Sequence, residues 1–320
     1  MEFKEGRIDE QKLVHGSHFP LLLFPAAAAA DDASSSSADA FALAQAILRN
    51  REWIERCLRR SGAILLRGFG VRDAWDFNEV VESFGYSEQP YAPGVSVRKK
   101  IVGRVCTVDD WPAHLALGFH NEMAYRADYP DLIMFYCDVE PTEGGCTPIV
   151  SGKVVYQRMK EHCPDFVEKL RERGLRTERL MEEHGPRGWR TILQTDDVIE
   201  AMKRLNDGGR FVKCLDDRSL VSYLLKPSPG VAKYGGSGDD VWFNSIGVAL
   251  IWRDTHKTSF GDGSAMPEET LDHCLQILQE EQVAIPWKKG DILVLDNMLV
   301  QHAREPFLPP RNILVSLCRR

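Results

Sequence analysis

Short apolar runs bounded by glycine, proline or aspartate recur along the chain and predict buried strands. The earlier ones are AILLRGFG from Ala63, LIMFYCDV from Leu132 to Val139, and TPIV from Thr147. Three more lie near the C-terminus, in DILVLDN, LVQHA and NILVSLC. Because each run is short and is flanked by turn residues, we expect a core built mainly of β-structure.

Helical periodicity is clear in three segments. Apolar residues recur at helical spacing in FALAQAILRNREWIERCLRR, which ends in arginines before Gly62, a typical helix stop. Residues 152–173 also predict helix, divided into two segments by Pro164. A third helix is predicted in MPEETLDHCLQILQEEQ, and its apolar face consists of Leu271, Cys274, Leu275 and Leu278.

Two stretches follow neither pattern. The sequence from Pro25 to Ala40 is PAAAAADDASSSSADA, a low-complexity insertion that can bury little surface. Between about Arg176 and Ser264, clusters of Gly, Ser, Pro and Asp predict long surface loops, and such loops in a compact protein are often lids. We therefore predict a single domain over residues 1–320, with an insertion at about 25–40 and a lid-like insertion at about 176–264.

The order of these elements predicts the fold class. Strands predominate, and the helices lie at the front and between the strands without regular alternation. This order favours a mainly β protein with flanking helices, an α+β architecture, over a parallel α/β sheet. A double-sheet jelly roll, the double-stranded β-helix, accommodates it best.

Composition and charge narrow the possible partners. Of the 320 residues 43% are hydrophobic and 27% charged, as in an ordinary globular protein, and the formal net charge of -7 argues against nucleic-acid binding. No apolar run approaches the roughly 18 residues that span a bilayer, and the N-terminal MEFKEGRIDEQK lacks the order of a secretory signal. The eight cysteines form no C-x-x-C pair and are typical of free thiols. We expect a cytoplasmic protein whose partner is a small molecule.

A histidine and a glutamate stand one residue apart in GFHNEMAY, just before the long apolar run. If residues 119–123 are extended, His120 and Glu122 point to the same face and Asn121 to the other. An imidazole and a carboxylate presented together supply two corners of the facial triad of two histidines and one carboxylate that binds Fe(II). His302, in DNMLVQHAREPF, is the natural third ligand.

Other assignments remain open on this evidence. A single histidine near a strand end is usually structural, and the H-x-E pattern recurs by chance in many proteins. His114 is an alternative to His120, and Asp296 is an alternative to Glu122 as the carboxylate. Neither has a partner two residues away, so the pair at His120 and Glu122 is favoured.

Six motifs extend from about residue 62 to the C-terminus: GAILLRGF, FHNEMAY, EPTEGGCTPI, VWFNSI, WKKGDILVLDNMLVQHAR and PPRNILVSL. In this order the chain resembles the TauD/TfdA family of Fe(II)- and 2-oxoglutarate-dependent dioxygenases. Within the family it is most similar to the clavaminate synthase-like branch found in plants.

Position by position, the resemblance implies that His120, Glu122 and His302 bind Fe(II). It also implies that Thr147 and Arg311 bind 2-oxoglutarate, with Arg311 as the anchor of the distal carboxylate. Both residue types suit this role, because a guanidinium fork matches a carboxylate bidentately and a hydroxyl adds one more hydrogen bond.

The chain departs from the family pattern in two places. The carboxylate ligand is Glu122 where many members have aspartate, although the plant branch resembles this sequence there. Arg311 lies closer to His302 than in bacterial members, and Val315 stands where some of them have a second arginine. Arg304 is a candidate for steadying the metal-side carboxylate of 2-oxoglutarate.

The implied activity is that of an oxidoreductase with Fe(II), 2-oxoglutarate and O₂ as its cofactors. Oxidative decarboxylation of 2-oxoglutarate to succinate and carbon dioxide would accompany oxidation, most simply hydroxylation, of a small-molecule substrate. The alternatives are a non-catalytic module that binds 2-oxoglutarate or a metal, and a cupin-like metalloenzyme without 2-oxoglutarate. Thr147 and Arg311 together favour the enzyme. The predicted lid also offers pocket candidates in Trp189, Trp242 and Asn244.

Overall fold

The computed structural model describes residues 2–26, 39–90, 98–108, 111–126, 128–185, 187–235 and 237–320. The core of the low-complexity insertion predicted at about 25–40 therefore lies outside the described residues. Its flanks are ordered elements: Pro25 ends a strand, and the carboxylate of Asp39 accepts a hydrogen bond from the backbone N–H of Ala42 at the start of the first helix.

The helices within the described residues are α1 (Ala40–Arg49), α2 (Arg51–Ser61), α3 (Ala74–Ser83), α4 (Gly152–His162), α5 (Pro164–Arg173), α6 (Trp189–Leu193), α7 (Val198–Asp207), α8 (Ile246–Ile251) and α9 (Glu268–Glu281). The predicted first helix is two helices, because the chain breaks at Asn50. Gly62 caps α2 with φ +79°, and Pro164 begins α5, as predicted. No described helix has the length and apolar character that crossing a bilayer requires.

The strands of the described residues are β1 (Phe3–Gly6), β2 (Lys12–Val14), β3 (Ser17–Phe19), β4 (Leu21–Pro25), β5 (Ala63–Leu66), β6 (Ser87–Glu88), β7 (Lys100–Val102), β8 (Val105–Thr107), β9 (Leu117–His120), β10 (Leu132–Val139), β11 (Glu143–Gly144), β12 (Ile149–Ser151), β13 (Leu175–Met181), β14 (Arg210–Cys214), β15 (Leu220–Leu224), β16 (Val231–Lys233), β17 (Asp240–Trp242), β18 (His256–Phe260), β19 (Ile292–Asp296), β20 (Val300–Arg304), β21 (Phe307–Leu308) and β22 (Asn312–Arg319). The apolar runs of the sequence correspond to β5, β10, β12, β19, β20 and β22.

The largest sheet has the order β1-β4-β5-β19-β10-β22-β8-β7, and β6 pairs with β22. Its neighbouring strands are antiparallel, apart from the parallel pair β4 and β5. Strands β11 and β21, β16 and β17, and β2 and β3 form small two-stranded sheets.

Strand β10 shows why the longest apolar run does not alternate. Leu132, Met134 and Tyr136 join a buried cluster with side chains of α1, α2 and α3. Ile133 and Phe135 join a second cluster on the opposite face of the sheet. Because both faces are buried, every position of the strand is apolar.

A three-stranded antiparallel sheet, β12-β20-β9, covers the second face of the large sheet. Ile149 of β12 and Val300 of β20 belong to the same buried cluster as Ile133 and Leu293 of the large sheet. Two sheets thus enclose one interior, and the predicted α+β jelly roll is confirmed.

The prediction of long surface loops between about 176 and 264 is wrong. This part of the chain forms a four-stranded sheet, β14-β15-β13-β18, together with α6, α7 and α8. It has a hydrophobic cluster of its own that includes Met181, Trp189, Leu193, Leu205 and Leu220. We call residues 175–264 the inserted unit. Whether it moves as a lid stays a prediction.

Candidate metal centre

Two histidines far apart in the chain are neighbours across a strand pair. His120 ends β9 and His302 lies in β20, and the two residues are directly opposite each other in the antiparallel register. Directly opposed side chains on one face of a sheet are in contact distance. The ring centroids are 4.3 Å apart. The strand pairing alone therefore brings the two predicted histidine ligands together.

Glu122 completes the group from a turn and not from the predicted strand. Strand β9 stops at His120, so the expected extension over residues 119–123 does not occur, and Glu122 lies in the following turn. Met123 adopts φ +54° in this turn. One potential ligand atom from each of His120, Glu122 and His302 lies within 4.8 Å of the others. These three residues form the candidate metal centre.

Buried amide side chains fix the turn that carries Glu122. The Asn297 Oδ1 atom accepts a hydrogen bond from the Glu122 backbone N–H at 2.8 Å, and its Nδ2 donates to the Glu122 carbonyl at 3.0 Å. Asn121 points away from the centre, as predicted, and its Nδ2 donates to the Asn297 carbonyl. Its Oδ1 accepts from the Gln301 amide and the Asn244 backbone N–H. These residues hold the ligand backbone rigidly.

The positions of both histidine rings suit a metal ion. His120 Nδ1 lies 2.9 Å from the Gly118 carbonyl, which can only accept, so Nδ1 is the donor in this contact and Nε2 is the ring nitrogen available to a metal ion. Burial, and secondarily His120, hold the pKa of His302 well below its usual range, so its ring is neutral. Its Nε2 lies 3.9 Å from a Glu122 carboxylate oxygen. Its buried Nδ1 has no hydrogen-bond partner among the described residues.

Two imidazoles and a carboxylate that converge on one point are the donor set of a divalent transition metal. The residues present therefore fit Fe(II). Arg98, which the sequence did not single out, donates from Nη2 to Glu122 Oε2 at 3.1 Å, and both side chains are largely buried. An outer hydrogen bond of this kind orients a carboxylate ligand.

The two alternative ligands lie elsewhere. His114 is exposed and does not belong to the group. Asp296 is fully buried, but its Oδ2 accepts from the Tyr234 hydroxyl and from Arg320, and its Oδ1 accepts from backbone N–H groups after β19. Asp296 is thus a structural residue of the turn between β19 and β20.

Thr147 and Arg311, which the resemblance assigns to 2-oxoglutarate, are in contact with each other. Arg311 Nη2 donates to Thr147 Oγ1 at 3.3 Å, and its Nε donates to the Gly145 carbonyl at 2.8 Å. Trp287 Nε1 also donates to Thr147 Oγ1, at 3.1 Å. Because the hydroxyl already accepts two hydrogen bonds, its own proton is left for an incoming acceptor.

The surroundings of Arg311 fit a bound carboxylate. No acidic side chain of the described residues forms an ion pair with this guanidinium, and burial lowers its pKa to about 10, with nearby Arg304 as the second cause. Gly145 has φ +70°, and a Cβ there would lie 3.0 Å from Arg311 Cδ. The glycine therefore provides the space in which the arginine lies.

Arg304, the candidate for the metal-side carboxylate, has other contacts. Its Nη1 and Nη2 donate to the backbone carbonyls of Trp111, Pro112 and Leu115. These bonds tie the loop before β9 to β20. Val315, which stands where some family members have a second arginine, is buried in the jelly-roll interior. Arg98 is instead the arginine in contact with the candidate metal centre.

A cavity of about 500 Å³ opens from the candidate metal centre. His120 and Glu122 lie in one wall, and residues of the inserted unit, including Arg179 and Arg210, line the other side. A volume of this size is typical of small-molecule sites. The pocket candidates of the predicted lid lie outside this cavity wall and are buried in the protein: Trp189, Trp242 and Asn244.

Comparison with known proteins extends over nearly the whole chain. The family model described as taurine catabolism dioxygenase TauD, TfdA family, matches residues 29–318. A clavaminate synthase-like protein of Arabidopsis thaliana is 38% identical over 327 residues, which cover 98% of this chain and 98% of the relative. Both matches include the candidate metal centre.

Two solved structures share the fold. AAD-2, in complex with Mn(II) and N-oxalylglycine, gives a TM-score of 0.56 at 12% identity and covers 99% of this chain and 97% of its own. PvcB, an Fe, alpha-ketoglutarate dependent oxygenase from an isonitrile synthetic pathway, gives a TM-score of 0.52 at 17% identity and covers 94% and 86%. Because the sequence identities are this low, the likeness shows only that the fold is shared.

Proposed function

The chain belongs to the TauD/TfdA family of dioxygenases, and from this premise we propose that it hydroxylates a small organic molecule. It is an oxidoreductase with Fe(II) and 2-oxoglutarate as its cofactors. In the proposed reaction, a substrate C–H bond, O₂ and 2-oxoglutarate give the hydroxylated product, succinate and carbon dioxide.

One observation carries the proposal. His120, Glu122 and His302 offer ligand atoms within 4.8 Å of one another, and two of the three residues line a cavity large enough for a small molecule. We assign these three side chains as the Fe(II) ligands. When bound, Fe(II) and 2-oxoglutarate supply the activation of O₂, whose two atoms end in succinate and in the product.

The remaining roles belong to the chain itself. We assign Arg311 and Thr147 to the distal carboxylate of 2-oxoglutarate, since one offers a buried cation and the other a hydroxyl proton. The Asn297 amide holds the backbone of Glu122 in place. The apolar cavity wall excludes water from the reacting atoms, which limits side reactions.

Coupled measurement of O₂ uptake and succinate release tests the proposal. The purified protein would be supplied with Fe(II), 2-oxoglutarate and a panel of candidate metabolites. We expect one class of metabolite to stimulate succinate release with matching O₂ uptake, and we expect omission of either Fe(II) or 2-oxoglutarate to abolish both signals.

Two other outcomes would overturn the enzyme assignment. Binding of 2-oxoglutarate without Fe(II)-dependent succinate release for any member of the panel would indicate a non-catalytic binding module. Product formation that does not require 2-oxoglutarate would indicate a metalloenzyme of the cupin kind.

A further inference from the structure

The turn between β19 and β20 carries Asn297, whose amide side chain brackets the backbone of Glu122. The shape of this turn therefore decides where one of the candidate metal ligands lies. Two hydrogen bonds close the turn from within, since Asp296 Oδ1 accepts from the backbone N–H groups of Met298 at 3.0 Å and Leu299 at 3.2 Å. Asp296 is thus the side chain that shapes the turn.

The second carboxylate oxygen of Asp296 accepts from a cation. Arg320, which follows β22, donates from Nη2 to Asp296 Oδ2 at 2.7 Å, and the Tyr234 hydroxyl donates to the same oxygen at 3.0 Å. The side chain of Asp296 is fully buried, and that of Arg320 is 22% exposed. Burial raises the pKa of Asp296, and Arg320 is the largest influence that lowers it. Loss of this cation would therefore favour a protonated carboxyl group.

Glu55 of α2 fixes the direction of the Arg320 guanidinium. Arg320 Nε donates to Glu55 Oε1 at 2.7 Å, so the guanidinium bridges one carboxylate on α2 and one on the turn. Glu55 is held in its own place by Arg59, one helical turn later at 2.8 Å, and by the Tyr86 hydroxyl. Because a guanidinium is planar and presents its donors in a fixed fork, two acceptors on different elements set its orientation.

The backbone of Arg320 reaches the same turn by a second route. Its N–H donates to Asp131 Oδ2 at 3.0 Å, and the Asp131 carbonyl accepts from the Asn297 backbone N–H at 2.9 Å. Arg320 therefore contacts two residues next to Asn297 in space, Asp296 through its side chain and Asp131 through its backbone.

We propose that Arg320 is a positioning residue for the candidate metal ligand Glu122. Its ion pair holds the Asp296 carboxylate where it closes the turn, and the closed turn holds the Asn297 amide that fixes the backbone of Glu122. Groups outside the ligand set act on metal affinity in this way, by fixing the geometry of the ligands. The inference rests on the proposed function, because it concerns Fe(II) binding at the same centre.

A matched ion pair lies at the other end of the same strand. Asp291 immediately precedes β19, and its carboxylate pairs with Arg67, whereas Asp296 ends β19 and pairs with Arg320. Each pair joins a buried aspartate to an arginine from another part of the chain. Of the two, the Arg320 pair alone lies on the turn that carries Asn297. Arg67→Gln therefore removes the same kind of interaction without a change in the turn.

The test measures Fe(II) binding to Arg320→Gln, Arg67→Gln and the unmodified protein under anaerobic conditions. Arg320→Gln is expected to bind Fe(II) about tenfold more weakly, the lower end of the effect of groups outside the ligand set. Arg67→Gln is expected to bind Fe(II) like the unmodified protein. The absorption spectrum of bound Co(II), which reports the coordination geometry, is expected to change in Arg320→Gln and to stay the same in Arg67→Gln.

Stability is measured in the same samples, because each variant leaves a buried carboxylate without its partner and is expected to unfold more easily. Metal affinities are compared at a temperature at which every variant is folded. If Arg320→Gln does not fold, Arg320→Lys replaces it, with Arg67→Lys as its control. The lysine keeps the charge but not the fork that bridges two acceptors, so Fe(II) binding is again expected to weaken.

A double variant tests the route through Asp296. Asp296→Asn keeps an oxygen that can accept from the turn but removes the charge that pairs with Arg320. In this background Arg320→Gln is expected to change Fe(II) affinity little further, because two residues that act through one contact are not additive. A second tenfold loss would show that Arg320 does not act through Asp296.

Two further results would overturn the inference. One is an unchanged Fe(II) affinity and Co(II) spectrum in the folded Arg320 variant, and the other is an equal loss of affinity in its Arg67 control. Fe(II) binding by the unmodified protein combined with any of these results refutes the positioning role alone. Absence of Fe(II) binding by the unmodified protein refutes the proposed function.

Discussion

Buried arginines in this protein differ in whether an acidic side chain accompanies them. Arg67 forms a bidentate ion pair with Asp291, with Nε–Oδ1 and Nη2–Oδ2 distances of 2.9 and 2.7 Å. Arg311 and Arg210 form no ion pair with a carboxylate of the described residues. The Arg67 charge is thus compensated within the protein, whereas a buried charge without an acidic partner is a feature of ligand sites.

We predict that Arg311→Ala weakens 2-oxoglutarate binding about tenfold or more, because charge-assisted hydrogen bonds to a carboxylate are lost. The dissociation constant of 2-oxoglutarate, measured by calorimetry with Fe(II) present, checks this prediction. Arg253→Ala is the control, since Arg253 is exposed and pairs with Glu268 and Asp272. An unchanged dissociation constant in Arg311→Ala would remove this residue from the site.

At the residue scale, the sequence predicts site residues best where a residue type has few ordinary roles in proteins. The five predicted site residues lie in two groups: His120, Glu122 and His302 converge, and Arg311 donates a hydrogen bond to Thr147. Trp287, Asn297 and Arg98 carried no signal, because a tryptophan, an asparagine and an arginine have many ordinary roles. Only contacts across the fold show that Trp287 donates to Thr147 and that Asn297 brackets Glu122.

At the scale of elements, the candidate metal centre depends on how β9, β19 and β20 are joined. The pairing of β9 with β20 places the histidines opposite each other, and the turn after β19 carries Asn297. Asn297 is fully buried, and its side chain satisfies the backbone N–H and carbonyl of Glu122 as well as the Pro130 carbonyl. One side chain thus connects the two segments that supply the metal ligands.

Asn297→Ala is expected to lower the free energy of unfolding by at least about 2 kcal/mol, because two buried backbone groups of Glu122 lose their partner at about 1–3 kcal/mol each. Fe(II) affinity is expected to fall as well, since the ligand backbone is no longer fixed. Chemical unfolding and metal titration measure the two effects. Asn206→Ala, at an exposed site in α7, is the control. Equal stability of both variants would show that the amide network does not hold the turn.

Some strands could be predicted from the sequence and others could not, and burial explains the difference. Strand β10 was evident because burial on both faces leaves a continuous apolar run. Strand β13 was not, because its cavity face holds Thr177 and Arg179 and its other face holds Arg176 and Glu178. A strand with polar residues on its cavity face lacks the hydrophobic alternation by which strands are recognised.

At the scale of the whole molecule, the cavity lies between the jelly roll and part of the inserted unit. The jelly roll contributes the candidate metal centre, and the inserted unit contributes a basic wall backed by its own hydrophobic cluster. The sequence located both parts but not their relation, because the residues that meet across the cavity are far apart in the chain. The three pocket candidates from the sequence, Trp189, Trp242 and Asn244, are instead buried in packing or in hydrogen bonds.

The most direct test of the central claim is the Fe(II) content of the protein under anaerobic conditions, measured by metal analysis after equilibrium dialysis. The unmodified chain is expected to bind one Fe(II), and His302→Ala is expected to bind none, because a ligand opposite His120 is lost. His114→Ala, which removes an exposed histidine outside the group, is expected to keep its iron. Equal iron content in His302→Ala and the unmodified chain would contradict the account.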